Sequence, residues 1–223
     1  MPVHMSNRPL VWIEGNIASG KSTFSKEMAS RLNLRLLEEP VDVELLTLYY
    51  EDPVRWAFPF QMAMLHARYA TQMLAASETM ALTAYDGAIV DRSLWGDLVF
   101  ARALMEDKKI HSKEWEIYMR AVKNMCMTLF PPLVLVYLDV TPATAFKRIQ
   151  KRARPQEARV TLEYLQMIHA GYHRLLKEAK THFYPWSHAV EVLQIPWDPS
   201  IVDDDAWSQV ADTVKAACYA RWP

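Results

Sequence analysis

Leu10-Val-Trp-Ile-Glu14-Gly15-Asn-Ile-Ala-Ser-Gly20-Lys-Ser22 is the stretch on which the fold turns. Leu10 to Glu14 form a short apolar run of β type that leads straight into Gly15, and from Lys21 the apolar spacing is helical through Leu32. Gly15 to Ser22 fits G-x-x-x-x-G-K-[ST] in full, in the strand-then-helix context that the pattern requires. Its glycines let backbone N–H groups curl around phosphate oxygens, and the helix N-terminus adds positive potential. Lys21 is placed to reach the β and γ phosphates, and Ser22 to offer an oxygen to Mg2+. Gly15, Asn16, Ile17, Ala18, Ser19, Gly20, Lys21, Ser22 and Thr23 are therefore expected to bind a nucleoside triphosphate. Only five of the 223 residues are glycine, well below the usual ~7%, so two of them in one loop carry weight.

Outward from this stretch the chain alternates. Leu34–Leu37 reads as a strand stopped by Glu38-Glu39-Pro40, and residues 53–82 read as one long helix. Gly87–Val90 reads as a buried strand ending at Asp91, with helices predicted over 94–105 and 113–129. Pro132–Leu138 is the most apolar strand, and Thr141 caps a helix that starts with Pro142 and runs to Arg152. Helices over 162–181 and 203–220 flank a last strand at 190–195 and a turn at 197–200. This pattern predicts an α/β fold, a five-stranded parallel sheet with helices on both faces. One domain spans 9–223, and residues 1–8 read as a flexible tail.

Composition excludes several classes. With 51% hydrophobic residues and a net charge of −1, the chain can bury a core but has no basic excess for a nucleic-acid polymer. Its longest apolar run, Leu129–Leu138, is far short of the ~20 residues of a membrane span. Cys126 and Cys218 suggest neither a disulfide framework nor a metal cage. The chain reads as soluble and cytoplasmic.

Ligands of open α/β sheets bind outside the carboxyl ends of the strands, where Glu39 and Asp91-Arg92 are predicted to lie. One carboxylate there can take a hydroxyl proton, a second can hold Mg2+, and an arginine can stabilise charge on a transferring group. Arg148 and Arg152, one helical turn apart, and Arg154 before Pro155 suit an arginine-rich lid over residues 151–159.

These residues give the chain, from about residue 9 to 220, a resemblance to the deoxyribonucleoside kinases of the deoxycytidine, deoxyguanosine and mitochondrial thymidine kinase type. It is carried by the phosphate loop, Leu37-Glu-Glu-Pro-Val41, Tyr50-Glu-Asp-Pro53, Trp56 with Phe58-Pro-Phe-Gln61, Asp91-Arg-Ser93, and Arg148-Ile-Gln-Lys-Arg-Ala-Arg154 followed by Glu157. The resemblance implies that ATP or another nucleoside triphosphate, with Mg2+ held by Ser22 and Asp91, phosphorylates the 5′-hydroxyl of a deoxynucleoside. It makes Glu39 the base and, with Lys21, makes Arg92 part of the catalytic machinery. Tyr50 and Glu157 would bind the sugar 3′-hydroxyl, Gln61 would read the base edge, and Phe60 would stack on it. Arg68 and Asp97, five residues after Arg92, would favour deoxyadenosine, deoxyguanosine or deoxycytidine over thymidine. A homodimer built through helices is also implied.

The chain departs from the family pattern at Asp91, where Glu is usual, at Val43-Glu44, where a tryptophan is common, and at Ala101, where an aromatic is expected and Phe100 lies adjacent. Pro155-Gln156 also replace a polar residue and a glutamate. A nucleoside monophosphate kinase would share the phosphate loop, the Asp-Arg pair and a basic lid, but needs no base such as Glu39. A non-catalytic assembly subunit of the same fold has no need of Lys21, Glu39 and Arg92 together. His169 and His173 lie at i, i+4 with no H-E-x-x-H acid between them, and read as a half-exposed helix face. Met62, Met64, Met73 and Met80 read as core or pocket fillers, and Trp207 as a packing anchor.

Overall fold

Buried on both faces, the apolar strands can only sit inside a sheet covered by helices. A computed structural model describes residues 8–81, 84–179, 190–197 and 203–219. Its elements run β1 (Leu10–Gly15), α1 (Lys21–Arg31), β2 (Leu34–Leu37), α2 (Val43–Glu51), α3 (Pro53–Met80), β3 (Gly87–Asp91), α4 (Leu94–Glu106) and α5 (Ser112–Cys126). Then follow β4 (Val134–Asp139), α6 (Pro142–Arg152), a 3-10 turn at Pro155–Glu157, α7 (Leu162–Ala179), β5 (Glu191–Pro196) and α8 (Asp204–Tyr219). The strands form one parallel sheet in the order β2-β3-β1-β4-β5.

Side chains of β1 alternate between two cores, as the period of two in a strand requires. Trp12 joins Val90, Trp95, Tyr137 and Tyr172 beneath α4 and α7. Val11 and Ile13 join Phe24, Met28, Val136 and Leu138 beneath α1, α6 and α8. Trp207 packs against Phe24 and Trp197 there, as its amphipathic helix predicts. Cys126 and Cys218 are buried free thiols.

Most elements fall within a few residues of their predicted bounds, with α2 as the exception. It is bounded by Pro40 and Pro53, capped by Asp42 accepting from the Leu45 N–H at 2.9 Å, and buries only Tyr49. With Val43 exposed, it shows no clean apolar stripe for a periodicity reading to find. Met73 and Met80 are exposed rather than filling a core, because they lie seven residues apart on the solvent face of α3, while Gln72, Ala75, Ala76 and Thr79 turn inward. The predicted tail over residues 1–7, the end of the helix predicted to Thr181, the turn after Trp197 and Ala220 lie outside the described residues.

Where β1 ends, Glu14 is 1% exposed and caps α4 from across the sheet. Its Oε1 accepts from the Ser93 N–H at 2.7 Å, the Ser93 hydroxyl at 2.5 Å and the Gly96 N–H at 3.2 Å. Such close approach is possible because Gly96 lacks a side chain. A Cβ there would lie 2.1 Å from Glu14 Oε2. Gly96→Ala should therefore cost about 3 kcal/mol, the scale of charge-assisted bonds lost from a buried carboxylate. Urea unfolding of both proteins tests this, and an unchanged midpoint would refute it.

Candidate active site

A cavity of about 470 Å³ opens outside the carboxyl ends of β1 and β3. Its phosphate-loop wall is made by residues 17, 18 and 20–23, and Gly20 takes φ 91°, a left-handed conformation natural to glycine, as the N-cap of α1. The Asn16 side chain faces away from the cavity. Its Nδ2 donates to the Leu165 carbonyl of α7 at 2.9 Å, and its Oδ1 accepts from the Ile17 N–H at 2.8 Å, which pins the loop. Lys21 Nζ donates to the carbonyls of Gly15 at 3.2 Å and Asn16 at 2.7 Å, acceptors with which the oxygens of a bound phosphate would compete for the ammonium. Burial, and then the neighbouring Arg92, push the Lys21 ammonium down to about 7. Negative phosphate charge would restore it.

Strand ends deliver the acids. Ser22 Oγ donates to Asp91 Oδ2 at 2.8 Å, while Asp91 Oδ1 is buried without a hydrogen-bond partner among the described residues. The adjacent Arg92 adopts φ 73°, an uncommon conformation for a residue with a side chain. Its Nη1 donates to the Gly15 carbonyl at 3.1 Å and to the Tyr172 hydroxyl at 2.9 Å, and its guanidinium carbon lies 4.7 Å from the Phe100 ring centre. Arg92 Nε lies 3.0 and 3.1 Å from the two oxygens of Glu39. Arg68 Nη2 donates to Glu39 Oε1 at 2.6 Å. Burial alone would raise the Glu39 carboxyl, but Arg92, Arg68 and Lys21 hold it down at about 2.

The far end of the cavity is built on α2 and α3. Arg68 pairs there with Asp97, which is fully buried and accepts from the Tyr118 hydroxyl at 2.6 Å. Arg68 is thus on the wall, with Asp97 behind it orienting the guanidinium. Gln61 is 3% exposed and leaves its Oε1 unpartnered among the described residues. The Phe60 ring stacks on Tyr49, with centres 5.1 Å apart and planes 11° from parallel. Tyr49 shares a hydrogen bond with Tyr164 of α7. Tyr50 lines the cavity, and its phenol is raised by burial and by Tyr49 and Glu157 beside it.

Beyond α6, Arg152 and Arg154 line the cavity but face Glu157. Arg152 Nε and Nη2 donate to the Glu157 carboxylate at 3.1 and 2.5 Å, and Arg154 Nη1 lies 4.0 Å from it. Arg148 lies off the cavity wall, its Nη1 3.5 Å from the Ser19 carbonyl. Fifteen of the 21 sequence-predicted site residues thus line one space, while Gly15, Asn16, Ser19, Asp91, Asp97 and Arg148 are not on its wall.

Sequence reasoning missed several others. Glu14 and Tyr172 act from behind Arg92, the Tyr172 hydroxyl donating to Glu14 Oε2 at 2.9 Å. Tyr49 and Tyr164 line the cavity beside Met64, a pocket filler as the sequence reading has it. Phe100, and not Ala101, is the residue of α4 turned toward it. None of these lies in a local motif. Only the β-to-loop position of Glu14, next to the phosphate loop, offered a signal.

A family model described as deoxynucleoside kinase matches residues 11–218. A protein of Dictyostelium discoideum named deoxyadenosine kinase is 30% identical over 92% of this chain and 77% of its own. A Bos taurus protein named NADH dehydrogenase [ubiquinone] 1 alpha subcomplex subunit 10, mitochondrial, is 31% identical over 83% of this chain and 58% of its own. The solved structure of deoxyadenosine kinase from M. mycoides with products dCMP and dCDP bound has the same fold. It matches with a TM-score of 0.74 at 24% identity, over 93% of this chain and 99% of that one.

The Glu39 carboxyl has a pKa of about 2 in the folded chain, against an ordinary 4.5. Stability from its ion pairs is full above pH 4.5 and is lost as pH falls through 2. The stability gap between the wild type and Glu39→Gln, measured by urea unfolding from pH 6 to pH 2, should narrow steadily below pH 4.5. A gap independent of pH would show that Glu39 is not held ionised by these cations.

Proposed function

This chain belongs to the deoxynucleoside kinase family, and from that premise we propose that it transfers the γ-phosphoryl group of ATP in line to the 5′-hydroxyl of deoxyadenosine, deoxyguanosine or deoxycytidine in preference to thymidine. It is an enzyme that phosphorylates a deoxynucleoside, and its G-x-x-x-x-G-K-S loop supports a nucleoside triphosphate as the phosphate donor. The carrying observation is that Glu39, Arg92 and Lys21 meet in one cavity beside the phosphate loop.

Phosphoryl transfer asks the protein mainly for positioning and for charge stabilisation. Lys21 and the loop N–H groups would hold the triphosphate, and Arg152 and Arg154 would turn from Glu157 toward it as the lid closes. Glu157, relieved of them, and Tyr50 would then take the sugar 3′-hydroxyl. A 5′-hydroxyl donating to Glu39 competes with Arg68 and Arg92 for the same oxygens, which raises the basicity of the carboxylate as substrate binds. Even so, a carboxylate this acidic takes the proton late, once bonding to phosphorus has acidified the hydroxyl.

The donor set fits Mg2+. Ser22 Oγ and Asp91 are oxygen ligands of the kind that Mg2+ prefers, and Asp91 Oδ1 is buried with no hydrogen-bond partner among the described residues. When bound, Mg2+ supplies neutralisation of phosphate charge. Gln61 would present its free Oε1 to an amino group of the base, with Phe60 stacked on it, and Arg68 would occupy the space that a thymine methyl needs. The same reading takes the protein as an intracellular homodimer. Among the described residues no helix is long and apolar enough to cross a membrane.

The Bos taurus relative keeps the assembly-subunit reading in view, but the joint placement of Lys21, Glu39, Asp91 and Arg92 favours catalysis. Glu39→Gln should lower kcat by about 10²–10⁴, the range of general-base catalysis, while ATP binding persists. A kcat within a factor of ten of wild type would remove Glu39 as the base. Arg68→Met combined with Asp97→Ala should lower all activities, since Arg68 also orients Glu39. It should also raise the ratio of kcat/KM for thymidine over deoxyadenosine about tenfold, a change of about 1.4 kcal/mol. An unchanged ratio, measured on a panel of four deoxynucleosides, would take the pair out of base selection.

A further inference from the structure

On the side of β4 away from the nucleoside cavity, the fold gathers a second set of polar groups. His169 and His173 project from one face of α7, and Asp139 ends β4 beside them, with ligand atoms of all three within 4.8 Å of one another. The two imidazole Nε2 atoms lie 3.1 Å apart, and His173 Nε2 is 3.7 Å from Asp139 Oδ1. Bonds of about 2 Å around a tetrahedral cation separate its ligand atoms by about 3.3 Å, close to these spacings.

Neighbours orient two of the three groups. Gln194 Nε2 of β5 donates to Asp139 Oδ2 at 2.7 Å, which leaves Oδ1 toward the imidazoles. His169 Nδ1 lies 3.4 Å from the Tyr137 hydroxyl and 3.9 Å from Asp139 Oδ1, and its Nε2 faces His173, so Tyr137 can hold the ring in place beside the acid. A metal-binding histidine is held in this way, with its non-ligating N–H engaged by a fixed acceptor. Among the described residues no lysine or arginine forms an ion pair with Asp139. Partial exposure of all three side chains leaves a fourth coordination position open to water.

We propose that Asp139, His169 and His173 bind a divalent transition-metal ion of the Zn2+ type, which staples α7 to the end of β4. Two nitrogens and one carboxylate oxygen select Zn2+, Co2+ or Ni2+ over Mg2+ and Ca2+, which take oxygen ligands. The site is thereby chemically separate from the oxygen pair Ser22 and Asp91. Its ion would steady the helix whose Leu165 carbonyl anchors Asn16 of the phosphate loop and whose Tyr172 holds Arg92. The spacing of His169 and His173 alone did not carry this reading, because the acid comes from a strand 30 residues earlier in the chain.

The full chain, stripped with chelator and titrated with Co2+, should bind one equivalent with a visible d–d absorption band. Zn2+ should displace it, and excess Mg2+ should not. Saturating Zn2+ should raise Tm by roughly 5–10 °C at a hundredfold excess over Kd. His173→Ala, at a half-exposed position that tolerates truncation, should weaken Co2+ at least tenfold and abolish the Tm shift, while His66→Ala should change neither. His173→Cys should keep the ion and add a thiolate-to-metal charge-transfer band, a readout that general destabilisation cannot produce. No binding by the wild type, binding unchanged in His173→Ala, or binding lost in His66→Ala would each overturn the proposal.

Discussion

Charges taken out of water must find each other, and here they do so in one continuous chain of contacts. Glu14 holds the N-terminus of α4 and the hydroxyl of Tyr172, Tyr172 holds Arg92, and Arg92 holds Glu39. Glu39 holds Arg68, and Arg68 reaches Asp97, which takes the hydroxyl of Tyr118. This path links β1, α3, α4, α5 and α7 around the cavity, so placing any one group depends on the others being in place. A half-satisfied network of this kind would be worse than an apolar core. The geometry of the site is for that reason a property of the whole sheet end and not of a single loop.

The same network explains the backbone of Arg92. A left-handed residue with a side chain costs of order 1–3 kcal/mol and persists only where its surroundings over-determine it. Arg92 is fixed through its N–H by the Ile13 carbonyl at 3.0 Å, through Ser93 by Glu14, and through its guanidinium by Gly15, Tyr172 and Glu39. Its φ of 73° turns the chain sharply from β3 into α4. That turn places Asp91 on the phosphate-loop side and Arg92 on the nucleoside side of adjacent positions.

What could be read from the sequence was what depends on local order. Alternating strands and helices, the glycine-rich loop and the acids before Pro40 and after Val90 all declare themselves within a few residues. Helix α2 did not, because it lies on the surface between two prolines and its one buried residue, Tyr49, faces the cavity. Tyr172, Tyr164 and Asp139 did not either, since each acquires its role from a partner far away in the chain. Asp97 was legible as a residue but not in its position, because only the fold places it behind Arg68 and out of contact with the cavity. The histidine pair was legible as a spacing and became a candidate site only when β4 brought an acid to it.

Electrostatics also separates catalysis from packing as the reason for this arrangement. Lys21, Arg68 and Arg92 are set against Glu14, Glu39, Asp91 and Asp97, so the interior is already close to balanced before any ligand enters. Phosphates entering such a site need further positive charge, which the arginines beyond α6 and a divalent ion can bring. A buried ion pair is rarely more stabilising than well-packed apolar groups of the same volume. A chain that used this fold only as a scaffold would be at least as stable with apolar residues at these positions. Seven ionisable groups in and directly behind one cavity wall, one of them on strained backbone, are a cost to stability that packing does not explain. The proposed reaction at that cavity, in which a proton leaves a hydroxyl and charge moves across phosphate oxygens, would use them.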